Sequence, residues 1–165
     1  RFLLPGLWDP IQSAPLSAMW PALGRALREL PDVDVLIDYG RLGTAFDAGP
    51  LLAQSDTVLA LGRCTLVDAY ALTRRLPTLV ATLPPSVVRL VTVGAKDPYP
   101  PSELARKLEL PLAFELPWDP VTAGVYSHGR VAVRRQRPGA LDLAAAAAAE
   151  QLATAHRPGN RSVVE

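Results

Sequence analysis

Four short apolar runs, separated by stretches long enough for a helix, constrain this chain more than any other feature. They are Val33-Asp34-Val35-Leu36-Ile37, Thr57-Val58-Leu59-Ala60-Leu61, Val87-Val88-Arg89-Leu90-Val91-Thr92-Val93 and Leu110-Pro111-Leu112-Ala113-Phe114-Glu115-Leu116. Each has the length of a strand. The first three are rich in β-branched residues and largely unalternated, as expected of strands covered on both faces in a parallel sheet. Parallel strands cannot be joined by tight turns, so the intervening segments must cross over as helices.

Helical spacing appears where that argument requires it. From Pro15 to Leu30, the side chains Leu16, Met19, Trp20, Leu23, Ala26, Leu27 and Leu30 fall on one face. Thr65-Leu66-Val67-Asp68 has the form of a capping box and opens a helix running toward Leu76. Shorter helices are expected over Ser102 to Leu108 and from Pro120 to about Tyr126, and an alanine-rich one over Leu141 to Ala155. The expected fold class is therefore α/β, a mostly parallel sheet flanked by helices, in a single domain over 1–155 followed by a flexible tail over 156–165.

Composition removes several function classes. With 17 basic and 16 acidic residues the net charge is +1, which gives no overall attraction to nucleic acid or anionic lipid. The single cysteine, Cys64, cannot close an internal disulfide, and His128 and His156 do not share zinc-site spacing with it. The expectation is a small buried thiol in a reducing cytoplasm. No run approaches the roughly 20 apolar residues of a bilayer span. The Ala144 to Ala149 run lacks the bulky apolar and basic faces of a membrane-surface helix, so direct membrane binding is not expected.

In a parallel sheet the loops after the strand C-termini share one edge, where ligands bind. The first such loop is Asp38-Tyr39-Gly40-Arg41-Leu42-Gly43. A carboxylate at a strand tip can hold a magnesium-bound water, and glycine amides beyond it can approach a phosphate closely. A plain turn ending a strand accounts for the same residues. The other loops are Gly62-Arg63, Gly94-Ala95-Lys96-Asp97 and Pro117-Trp118-Asp119. Trp8, Trp20 and Trp118 are expected to pack rather than to stack on ligands. Ser127-His128 lacks a Gly-x-Ser-x-Gly elbow, and adjacent residues rarely point at each other, so a polar loop is expected there. Arg130, Arg134, Arg135 and Arg137 are expected to be a solvated basic cluster, with nucleic-acid contact not favoured.

The succession Asp34 to Gly43, Leu52 to Leu61, Leu90 to Gly94 and Leu108 to Asp119 resembles MinD/ParA-type P-loop ATPases, over roughly Asp32 to Gly129. That resemblance implies an incomplete P-loop NTPase-like domain whose phosphate-binding loop would lie upstream of Arg1. It implies nucleotide contacts from Asp38, Gly40, Gly43, Pro117 and Asp119, with Asp38 reaching magnesium through water. ATP and Mg2+ would act in the parent protein and would not bind tightly to this chain alone. The implied function is a nucleotide-dependent positioning or partitioning switch, not competent for hydrolysis by itself, with a protein partner or a homodimer as its binding partner. The alternative is a nucleotide-independent adaptor of the same fold. The chain departs from the family pattern where Gly94 replaces an adenine-reading Asn and where Asp38-Tyr39-Gly40-Arg41 replaces an Asp-Thr/Cys-Pro switch. A missing central strand would also leave backbone groups unpaired, at roughly 1 to 3 kcal/mol each, and make folding marginal.

Overall fold

A computed structural model describes residues 3–6, 13–41, 49–84, 86–94, 99–128 and 137–155. The described elements are α1 (Ser13–Leu16), a 3-10 turn (Ser17–Met19), α2 (Trp20–Arg28), α3 (Gly49–Leu52), β1 (Val58–Arg63), α4 (Leu66–Val80), β2 (Val88–Val93), α5 (Pro101–Leu108), β3 (Leu112–Leu116), α6 (Pro120–His128) and α7 (Ala140–Ala155). The strands form a three-stranded parallel open sheet, in the order β1-β2-β3, flanked by helices.

β2 is the central strand, and its residues account for that place. Val88, Leu90, Val91 and Thr92 are buried, and Arg89 alone among its first five residues reaches solvent. A strand covered on both faces has no polar side to present, which is why this run reads as unalternated. β2 pairs with β3 in parallel, Thr92 opposite Glu115 and Val93 opposite Leu116, with an irregularity between Leu90 and Val91. The connecting helix α5 begins after Pro100, where a missing N–H costs nothing, and ends at Glu109 in the left-handed region, φ 55°.

The chain divides into two compact units. The first comprises 1–60 with 70–89. Its cluster of buried Trp20 and Leu51 is flanked by Leu16, Leu23, Leu27 and Tyr39. α2 and α3 approach so closely at Gly24 that a Cβ there would lie 2.7 Å from Gln54 Cγ. Arg28 ties the same corner together, donating to the Gln54 carbonyl at 2.8 Å and pairing with Asp56 at 2.9 Å. The second unit comprises 61–69 with 90–165. In it, α5 and α7 lie against β3, and α6 lies against α7.

Two expectations are corrected. The run Val33 to Ile37 is not a strand in this fold. Val33, Val35, Leu36 and Ile37 are all exposed, Leu36 by 94%. Strand propensity becomes strand structure only where a ladder partner is in reach, and the sheet holds β1 to β3 without this run. Asp32, at φ 54°, turns the chain immediately before it. The helix expected over Pro15 to Leu30 is also broken, by the 3-10 turn at Ser17–Met19. Tighter winding there rotates Met19 out to solvent, and Leu30 lies beyond the helix end, so both leave the apolar face and are exposed. The expected helices at 65–76, 102–108, 120–126 and 141–155 are present with boundaries within a few residues.

Candidate functional site

In the second unit the C-terminal ends of all three strands meet. β1 ends in Arg63, β2 runs into Gly94, and β3 is followed by Pro117, Trp118 and Asp119. Because β2 lies between β1 and β3, a contact between Arg63 and Trp118 must pass over the end of β2. Gly94 makes that passage open. It adopts φ 76°, donates its N–H to the Leu116 carbonyl at 2.8 Å, and a Cβ in its place would touch Trp118 Cβ at 3.4 Å. The Arg63 guanidinium carbon lies 4.2 Å from the Trp118 ring centroid, within cation–π range. Trp118 nevertheless remains 58% exposed. The expectation that it packs is corrected, whereas Trp20 is buried as expected.

The helices leaving this rim are capped by side chains. Thr65 Oγ accepts the Asp68 N–H at 3.3 Å and donates to Asp68 Oδ2 at 2.8 Å, so Thr65 caps α4 as expected, with the Asp68 carboxylate bonded to the Thr65 hydroxyl. Cys64, just before it, is 2% exposed and holds the Tyr99 N–H on its carbonyl at 3.3 Å. Burial pushes the Cys64 thiol up from its ordinary value, and the Glu115 carboxylate adds to the effect. A thiol held protonated in this way packs as a small apolar group and is a poor nucleophile.

Comparison with protein families, curated proteins and solved structures returns no match. What this chain does must therefore be argued from its own residues.

Asp119 is the N-cap of α6. Its Oδ1 accepts the Thr122 N–H at 3.0 Å, and its Oδ2 accepts the buried Thr122 hydroxyl at 2.6 Å and the Leu141 N–H at 3.5 Å. One carboxylate thus satisfies donors at the starts of both α6 and α7. Asp142 does comparable work at α7, accepting the Gly139 N–H at 2.8 Å and the Tyr126 hydroxyl at 2.7 Å. That hydrogen bond, helped by the carboxylate charge, raises the Tyr126 hydroxyl above its ordinary pKa.

Pro117 is half-buried between β3 and Trp118, with its fixed φ setting the course of the loop. Asp38 and Gly40 belong to the first unit. Asp38 is exposed, and its Oδ1 accepts the Gly40 N–H at 2.8 Å in an Asx turn that Gly40 completes at φ 76°. Gly43 lies outside the described residues, as do Ala95, Lys96 and Asp97 of the loop after β2 and Arg130, Arg134 and Arg135 of the basic cluster. Arg137 is described and exposed.

Among the described residues, no group of three or more His, Cys, Asp or Glu side chains could hold a metal ion. Asp38 does not stand at a strand end, since 33–37 is not a strand, and as a lone exposed carboxylate it could meet magnesium only through a bound water. Ser127 and His128 do meet, with Oγ to Nδ1 at 2.8 Å, contrary to expectation, and they lie on the last turn of α6 rather than in a loop. Ser127 also donates its hydroxyl to the Ala123 carbonyl at 3.0 Å. The direction of the Ser127–His128 contact depends on the imidazole tautomer, and the exposed pair is a hydrogen bond at a helix end rather than a nucleophile elbow. Among the described residues no helix is long and apolar enough to cross a membrane.

Sequence reading missed the pairing of Arg63 with Trp118. Both were visible as residues following strands, but their contact depends on strand order and on the glycine between them. The available signal was Gly62-Arg63, Gly94 and Pro117-Trp118 each standing directly at a strand end.

Proposed function

We propose that this chain is a fragment of a MinD/ParA-like ATPase acting as a nucleotide-dependent positioning or partitioning switch, not competent for ATP hydrolysis alone. The observation that carries this reading is the meeting of Arg63, Gly94 and Trp118 at the C-terminal ends of parallel strands, the edge at which open α/β sheets bind ligands. In this reading Asp38 would orient a magnesium-bound water, and Gly40 and Gly43 would give the following loop freedom to respond to a phosphate. Pro117 and Asp119 would flank the base. Asp119 would act by fixing the loop, since its carboxylate is bonded to Thr122 and Leu141. Magnesium, when bound with ATP, would neutralise phosphate charge.

In the parent protein, titration with labelled ATP and magnesium is expected to show binding that weakens at least several-fold in Asp38→Ala. Equal and undetectable binding in both proteins would remove the switch reading. It would leave a nucleotide-independent adaptor, which docks a protein partner through this fold. One observation favours that second reading: the Asp38 and Asp119 carboxylates already serve the local backbone.

A further inference from the structure

We infer that this chain pairs with a second copy of itself, the acidic and apolar run at 32–37 of one molecule lying along the exposed face of α4 in the other. The contact goes beyond the nucleotide reading, for neither surface includes a residue assigned to a nucleotide above. Val33, Val35, Leu36 and Ile37 stand in solvent outside the sheet, and among the described residues 33–37 forms no backbone–backbone hydrogen bond. A second apolar surface is left open on α4, a continuous helix in which Leu66, Val67 and Tyr70 are 62%, 76% and 66% exposed. Apolar side chains exposed singly are ordinary, but their concentration in two short runs marks surfaces that another molecule covers.

Charge names the occupant. The stretch 29–38 holds Glu29, Asp32, Asp34 and Asp38 and no basic residue. On α4, Leu66, Tyr70 and Arg74 follow one another at i, i+4 and i+8, so the apolar face continues into an exposed guanidinium, with exposed Arg75 beside it. The helix's one carboxylate, Asp68, is bonded to Thr65. Each surface thus joins apolar side chains to charge, and the two charges are opposite. Their dimensions agree as well. An extended chain covers about 10 Å from Asp34 to Ile37, and a helix rises about 10 Å from Arg74 back to Val67. With the run lying opposite in direction to α4, Asp34 meets Arg74 while Leu36 and Ile37 cover Tyr70 and Val67. Every copy carries both surfaces, and in a two-fold pair the contact is made twice.

Sedimentation velocity on the full chain over a wide concentration range is expected to show a dimer whose fraction rises with concentration. Asp34→Arg and Arg74→Glu should each weaken self-association on the order of ten-fold, because like charges then face each other. Mixed in equal amounts, the two variants should recover wild-type affinity, since both contacts of the mixed pair again join opposite charges. Leu36→Ser should weaken the dimer without any change of charge. Far-UV circular dichroism confirms that each variant is folded. A wild-type chain that stays monomeric throughout would overturn the pairing, as would a dimer whose affinity none of these variants changes. Two weakened variants that do not recover on mixing would overturn the contact of Asp34 with Arg74.

Discussion

Asp119 illustrates how a residue singled out by its place after a strand carries a structural task that the sequence does not display. Its position after β3 suggested a ligand contact, but its oxygens cap α6 and reach the first turn of α7. Losing the carboxylate would strand the Thr122 and Leu141 N–H groups and the buried Thr122 hydroxyl. Asp119→Ala is expected to destabilise the chain by about 1 to 2 kcal/mol in a denaturant titration. Asp119→Asn keeps one of the two acceptor oxygens and should cost less than Asp119→Ala. A stability unchanged in Asp119→Ala would mean that capping by this carboxylate contributes nothing. The Thr65 cap was legible in the sequence because its partner Asp68 is three residues away. The Asp119 bond to Leu141 was not, because its partner is 22 residues away and is brought near by the packing of α6 against α7.

At the scale of elements, contact between helices decides what helical periodicity only suggests. The apolar stripe on α2 correctly marks Trp20, Leu23 and Leu27 as inward-facing. The pattern gives no hint of why Gly24 lies among them, since glycine is the second-worst helix former. The approach of Gln54 explains it, with Cγ 2.7 Å from where a Cβ would stand. Gly24→Ala should gain about 1 kcal/mol in helix propensity but lose about 1 to 3 kcal/mol to overpacking. The net expectation is destabilisation in thermal unfolding. In a Gln54→Ala background the Cγ is gone while the Cβ stays 3.1 Å away, so the same substitution should be clearly less destabilising. A Gly24→Ala effect of the same size in both backgrounds would refute the close approach of Gln54 to α2.

Across the whole molecule, the sheet is smaller than the sequence suggests. β2 combines β-branched residues with burial, and Val88 and Leu90 are wholly covered. The run Val33 to Ile37 has similar residues and no strand. Native-state hydrogen exchange should therefore find the β2 amides among the slowest and those of 33–37 among the fastest. Slow exchange at 33–37, comparable with β2, would mean that this run is laddered in solution. The same contrast shows how residues of one kind take different fates: a strand needs a neighbour as well as a propensity, and β2 has one on each side.

The sequence by itself determined the helices at 66–80, 101–108, 120–128 and 140–155, the three runs that became strands, and the burial of Cys64. These follow from residue types at short spacing, where periodicity and capping act within a few residues. Tertiary structure alone decided that 33–37 stays out of the sheet, that Asp119 spans two helix starts, and that Arg63 lies over Trp118. Each depends on groups distant in the chain meeting across a packed sheet, and no local pattern encodes which distant partner will be there.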